Sequence, residues 1–248
     1  MSTAISNQDT PQWSYLRIAL YVLLVGIVFL SAQVVGTLVA GVMAVVADRT
    51  LDVREWAEHA STNGVALAAA TFSSTLVCVP LVWALTRSND AARFLRLRAT
   101  NAKSIALWCS IAVAFLAASD LISLALGRPV VVDFMVQAYS SAPKLMIVLA
   151  IVVAAPLFEE IFFRGFLMSA LEARGLSPAA GAVVSAALWA VIHLQYDFYN
   201  IVAIFLMGLL LAAARIKTGS LVPCLVMHAL GNAIATVETA LVAEGVIG

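Results

Sequence analysis

The chain has 248 residues, 63% of them hydrophobic and 11% charged, with a formal net charge of zero. That apolar share exceeds what a water-soluble globule can hide, and a neutral chain offers no electrostatic support for a nucleic-acid partner. Cys78, Cys109 and Cys224 stand singly inside apolar runs, which fits neither a disulfide framework nor metal-ligand spacing. What remains is an integral membrane protein.

Residues 1–14 form a polar N-terminal tail. Leu16 to Val46 is the first span, too long for a signal-peptide core and longer than the roughly 20 residues a bilayer requires. A charged loop from Asp48 to Glu58 follows, with His59 as an ordinary exposed side chain. Gly64 to Leu85 is the second span, with a kink expected at Pro80. The most basic stretch comes next and carries Arg87, Arg93, Arg96, Arg98 and Lys103. Ile105 to Leu126, the third span, holds Asp120, which is expected either to face the bundle and bond Ser119 or Ser123, or to lie near an interface. Gly127 to Lys144 is a loop able to dip into the interface.

The fourth span is Leu145 to Leu171. Gly175 stops it, and Ser177-Pro178 starts a fifth over Ala179 to Leu194 that contains His193. Tyr196 and Tyr199 suit interfacial height. Ile201 to Ala214 is the sixth span, and Leu221 to Val242 the seventh, with His228 and Asn232. The fold class is therefore an all-α polytopic transmembrane helix bundle of about seven spans (six to eight), one domain over residues 15–248. With the N-terminus inside, Arg17, Arg87, Arg93, Arg96, Arg98, Lys103, Arg164, Arg174, Arg215 and Lys217 lie on or towards the cytoplasm. Arg49, Arg54, Arg128 and Lys144 lie outside, the asymmetry expected of short loops.

The fourth span contains the chemistry-bearing stretch PLFEEIFFRGF, Pro156 to Phe166. Ionisable residues at membrane depth are expensive and mark function by default. On a helix Glu160 and Arg164 are four apart and pair in the favourable order. Glu159 is turned about 100° away, towards Phe163, and lacks a local counter-charge. Glu160 and Arg164 read as framework and Glu159 as free for chemistry; the bland alternative is that all three brace the bundle. Counting from the span ends puts Glu159, His193, His228 and Asn232 between the membrane centre and its cytoplasmic half. Trp189 and His193 are four apart, as are His228 and Asn232, so each pair shares a helix face. A carboxylate and an imidazole beside a water can take its proton, while a second imidazole and an amide can hold the oxyanion of a carbonyl under attack. Alternatively Glu159, His193 and His228 are the donor set of a catalytic zinc, although no HExxH is present.

Glu159-Glu160-x-x-x-Arg164, Trp189-x-x-x-His193 and His228-x-x-x-Asn232 together resemble the three motifs of the CPBP family, the CAAX-processing and bacteriocin-processing (Abi) intramembrane proteases. The runs EEIFFRGFL and TGSLVPCLVMHALGN carry the resemblance, which covers a core at about residues 145–237. Trp189 stands where phenylalanine is commoner, a departure not expected to disturb the chemistry, and its indole is expected to wall the site beside His193 as structural support. The resemblance implies that Glu159 and His193 activate water, that His228 and Asn232 stabilise the oxyanion, and that Glu160 and Arg164 support the site. It leaves metal-dependent and metal-free chemistry both open. It implies a membrane-anchored or lipidated peptide as substrate and, with the Ala/Val-rich composition, a bacterial inner membrane as location. Two competing functions are a non-catalytic membrane adaptor or bacteriocin-immunity protein of the same fold, and a small transporter using the carboxylates as a proton relay. The complete motif set argues against the first. The absence of internal repeats argues against the second.

Overall fold

A computed structural model describes residues 13–86 and 90–247. Most of the expected tail and Arg87 of the basic loop thus lie outside the described residues. Of the tail, Trp13 is buried, stacked on Phe94 at 5.1 Å between ring centroids and set against Phe166 at 5.8 Å.

The described residues form an all-helical bundle. In chain order the helices are α1 (Tyr15–Ala47), α2 (Val53–His59), α3 (Gly64–Thr86), α4 (Ala91–Phe94), α5 (Ala102–Ala125) and α6 (Asp133–Ser140). A continuous α7 (Lys144–Ala173) follows, then α8 (Pro178–Val191), α9 (Phe198–Thr218) and α10 (Val222–Ala243). Six of them, α1, α3, α5, α7, α9 and α10, are long and apolar enough to cross a membrane. This is a multi-pass membrane protein. The seventh apolar helix, α8, has only 14 residues, about 21 Å at ~1.5 Å per residue. It ends at Val191, short of the expected Leu194, so His193 lies on a turn.

Local chemistry sets the helix ends. The side chains of Ser14, Asn101, Ser177 and Asp197 accept from Arg17 N, Ser104 N, Ala180 N and Asn200 N, capping α1, α5, α8 and α9. Gly219, at φ +63°, ends α9. Large apolar residues of α1 such as Leu20, Leu30 and Leu38 are exposed, the surface expected of a helix facing lipid. Its inner side meets α3 at Gly36, where a Cβ would come within 2.5 Å of Ala69 O. A small residue permits that close backbone approach.

Helix α7 is the axis of the core. Phe158, Phe162 and Phe166 recur every four residues, stacked at 5.8 and 5.9 Å, and Phe29 of α1 extends the column at 4.9 Å. The segment after α4 caps the basic end of the bundle. Leu221 N donates to Arg96 O at 2.9 Å, and Ser220 Oγ donates to Arg98 O at 2.5 Å. Glu172 accepts from Arg96 at 2.9 Å and from Arg215 at 2.5 Å. Arg96, Arg215 and the fully buried Arg164 are therefore structural cations as well as contributors to the charge asymmetry.

Candidate active site

Helix α7 is widened at two places, Leu149–Ala154 and Glu160–Leu167, where the chain forms π turns. Such turns loosen the intrahelical ladder and are frequent at functional sites. Here neighbouring helices supply donors to the carbonyls. Asn232 Nδ2 donates to Ile151 O at 2.8 Å, Thr75 Oγ1 to Ala154 O at 2.9 Å, and Ser185 Oγ to Phe163 O at 3.0 Å. Asn232 is thus oriented by the first π turn, with its second amide hydrogen left for another acceptor.

Glu160 and Arg164, both without solvent exposure, pair at 2.8 Å as the i,i+4 spacing predicts. The same Glu160 Oε1 contacts His228 Nδ1, also at 2.8 Å. Arg164 Nη2 donates to Gly208 O at 3.3 Å, and its guanidinium lies 4.4 Å from the Trp189 ring centroid. Glu160 is therefore more than a counter-ion for Arg164, because it also fixes the imidazole of α10.

Glu159 finds its neighbours on other helices rather than along α7. Its Oε2 accepts a hydrogen bond from Trp189 Nε1 at 2.5 Å and lies 3.8 Å from His228 Nε2. The partners are on α8 and α10, out of reach of any count along α7. Glu159 Oε1 makes no hydrogen bond among the described residues.

His193 Nδ1 is 2.8 Å from Trp189 O. A carbonyl can only accept, so Nδ1 carries the hydrogen and a neutral ring presents Nε2 as a lone pair. Its ring stands edge-on to Trp189 at 5.2 Å, as does that of His228. Both imidazoles thus meet the same indole, and no ion pair joins His193 to Glu159 among the described residues. Helix α8, at about 21 Å, is shorter than the ~30 Å hydrocarbon core, and the His193 turn follows its end. Non-helical backbone within a bilayer is tolerated only against protein or a water-filled cavity. Helix α6 covers this turn, with Phe134 against Tyr196 at 6.1 Å and Tyr196 Oη donating to Met135 Sδ at 3.3 Å.

Zinc needs three donors about 2.0–2.2 Å from one point. Glu159, His193 and His228 do not meet that test. Among the described residues no three His, Cys, Asp or Glu side chains converge as a ligand set, and Glu159 Oε2 is engaged by the indole. Asp120 makes no hydrogen bond or ion pair with Glu159, His193, His228 or Asn232 among the described residues. Ser123 Oγ bonds Tyr199 Oη at 3.0 Å rather than Asp120, and Ser119 O accepts from the same phenol at 3.5 Å. Gly208, Ser185 and Thr75 were not singled out by the sequence. Only Gly208 left a signal, as an isolated glycine inside an apolar helical run.

Residues 141–234 match the family described as Rce1-like, type II CAAX prenyl endopeptidase. The chain carries a domain of that family, the CPBP or Abi group, and the domain contains all three motifs. A 24.3 kDa protein of Escherichia coli, described as uncharacterized, is 31% identical over 86 residues, which is 34% of this chain and 40% of that protein. No solved structure matches.

Proposed function

We propose that the protein is an intramembrane endopeptidase of a bacterial inner membrane, hydrolysing a peptide bond in a membrane-anchored or lipidated peptide. The observation that carries this reading is Glu159. Its Oε1 is unengaged among the described residues and its Oε2 is held by Trp189, an indole that meets both histidine rings, within a matched peptidase-family domain. Glu159, assisted by Nε2 of His193, takes a proton from water as the water oxygen bonds to the scissile carbonyl carbon. Asn232 and, when protonated, His228 Nε2 donate to the resulting oxyanion. The C–N bond then breaks and the proton passes from Glu159 to the leaving amine. Glu160 and Arg164 hold His228 and α9 in place.

With the basic end in the cytoplasm, His228 and Asn232 lie about 9 and 15 Å along α10 from Val222. The site then faces the cytoplasmic half of the bilayer. A labelled lipopeptide library in liposomes tests the function, with wild type compared against Glu159→Gln. Turnover lost in the variant is expected. Turnover independent of Glu159 would refute its role as the base, and turnover absent with every lipopeptide while the protein captures a membrane partner would favour the adaptor reading.

A further inference from the structure

We infer that Trp189 is a positioning residue whose indole N–H selects which oxygen of Glu159 meets the water, an inference that rests on the hydrolytic reading above. The hydrogen bond at 2.5 Å goes to Oε2, and Oε2 is also the oxygen 3.8 Å from His228 Nε2. Both neighbours therefore lie on one side of the carboxylate, and Oε1 is left as the proton acceptor.

The indole is itself fixed on several sides. The Arg164 guanidinium covers it at 4.4 Å, both histidine rings meet it edge-on at 5.2 Å, and Gly208 lies so close that a Cβ there would be 3.0 Å from Trp189 Cε3. Trp189 is only 4% exposed. A buried indole ring that can neither slide nor turn makes a fixed donor. Glu159 sits on an all-carbon stem of two methylenes next to a widened turn of α7, so without that donor its carboxylate can rotate and present either oxygen. A ring of the same shape with no N–H would preserve the packing and lose the selection.

The test replaces Trp189 in two ways, by Phe and, through nonsense suppression, by the benzothienyl isostere in which sulfur stands for N–H. Steady-state cleavage of the lipopeptide substrate is then measured in liposomes. The expected result in the isostere is a kcat lower by about ten- to a hundredfold, the scale of one hydrogen bond to a charged group, with KM within about threefold and the folded bundle retained. Trp189→Phe should behave alike, and if it folds poorly the isostere still decides. Wild-type kcat in the isostere would overturn the inference, as would a KM effect without a kcat effect.

A second readout does not depend on activity. Ultraviolet resonance Raman difference spectra of wild type minus Glu159→Ala should show one indole N–H moving from strongly bonded to unbonded. An unchanged indole band would mean that the contact is absent and would overturn the inference on its own. A shifted band with no Glu159-dependent turnover would instead locate the failure in the proposed hydrolysis, and with it the role given to Trp189.

Discussion

Replacing Glu160 by Gln removes one charge from a group that has no exposure and two partners. Its Oε1 accepts from Arg164 Nη1 and contacts His228 Nδ1, each at 2.8 Å. Arg164 is equally buried, and its Nε finds no hydrogen-bond partner among the described residues, so only the Gly208 carbonyl and the Trp189 ring remain to the guanidinium. Breaking a buried pair from one side costs about 3–5 kcal/mol, chiefly because an uncompensated charge remains. The carboxamide keeps one acceptor oxygen, which places the expected loss near the lower end, about 3 kcal/mol. For a chain of this length that is on the order of 6–12 °C in melting temperature. Glu159→Gln differs in kind. Its amide oxygen can still accept from Trp189, and no ion pair at hydrogen-bonding distance is broken. It should melt at or slightly above the wild-type temperature while cleavage disappears. Both variants are purified in the same detergent and compared by thermal unfolding and by lipopeptide cleavage. A Glu160→Gln protein melting with wild type would refute the assignment of Glu160 to the frame. A Glu159→Gln protein that still cleaves would refute the assignment of the base.

Gly208→Ala would place a Cβ 3.0 Å from Ala186 Cβ, Arg164 Nη2 and Trp189 Cε3. It should destabilise by about 1–3 kcal/mol and depress turnover, and a variant equal to wild type in both would show that the helix contact has slack. Exhaustive chelation is expected to leave Glu159-dependent cleavage unchanged, because the donors do not converge as a ligand set. Stoichiometric zinc whose removal and return track activity would contradict this. Single cysteines at Ser61 and Lys103, in a background without Cys78, Cys109 and Cys224, should label from opposite faces of the intact cell, Lys103 from the cytoplasmic one. Labelling of Lys103 from outside would invert the topology.

The long helices were legible because hydropathy needs only local composition. Leu145 to Leu171 was expected and Lys144–Ala173 found, and Gly64 to Leu85 became Gly64–Thr86. The end of α8 was not legible, since the apolar run continues through Ile192 and Leu194 while the backbone turns. That turn is held by bonds from His193 N to Ala190 O and from Tyr196 N to His193 O, which apolar side chains do not encode. In the site, the Glu160–Arg164 pair could be read because it is local. Spacing on one helix fixes which residues share a face but not how helices are rotated against each other. The Glu159–Trp189 and Glu160–His228 contacts therefore remained hidden. So did the π turns, whose carbonyls are met by Asn232, Thr75 and Ser185 from other parts of the chain.

Charge bookkeeping in the bundle connects the site to the fold. Glu160 neutralises Arg164, which leaves Glu159 as a mostly buried carboxylate with no cation of its own on α7. An uncompensated carboxylate away from water is costly. The indole N–H on α8 donates to it and an imidazole on α10 stands 3.8 Å away, while that imidazole is aimed by Glu160 and that indole is pressed in place by Arg164. The frame pair thus orients both groups that attend the proposed base. The arrangement draws on α7, α8 and α10 packed together. Damage to the frame should therefore lower stability and activity together, whereas removal of the base should separate them.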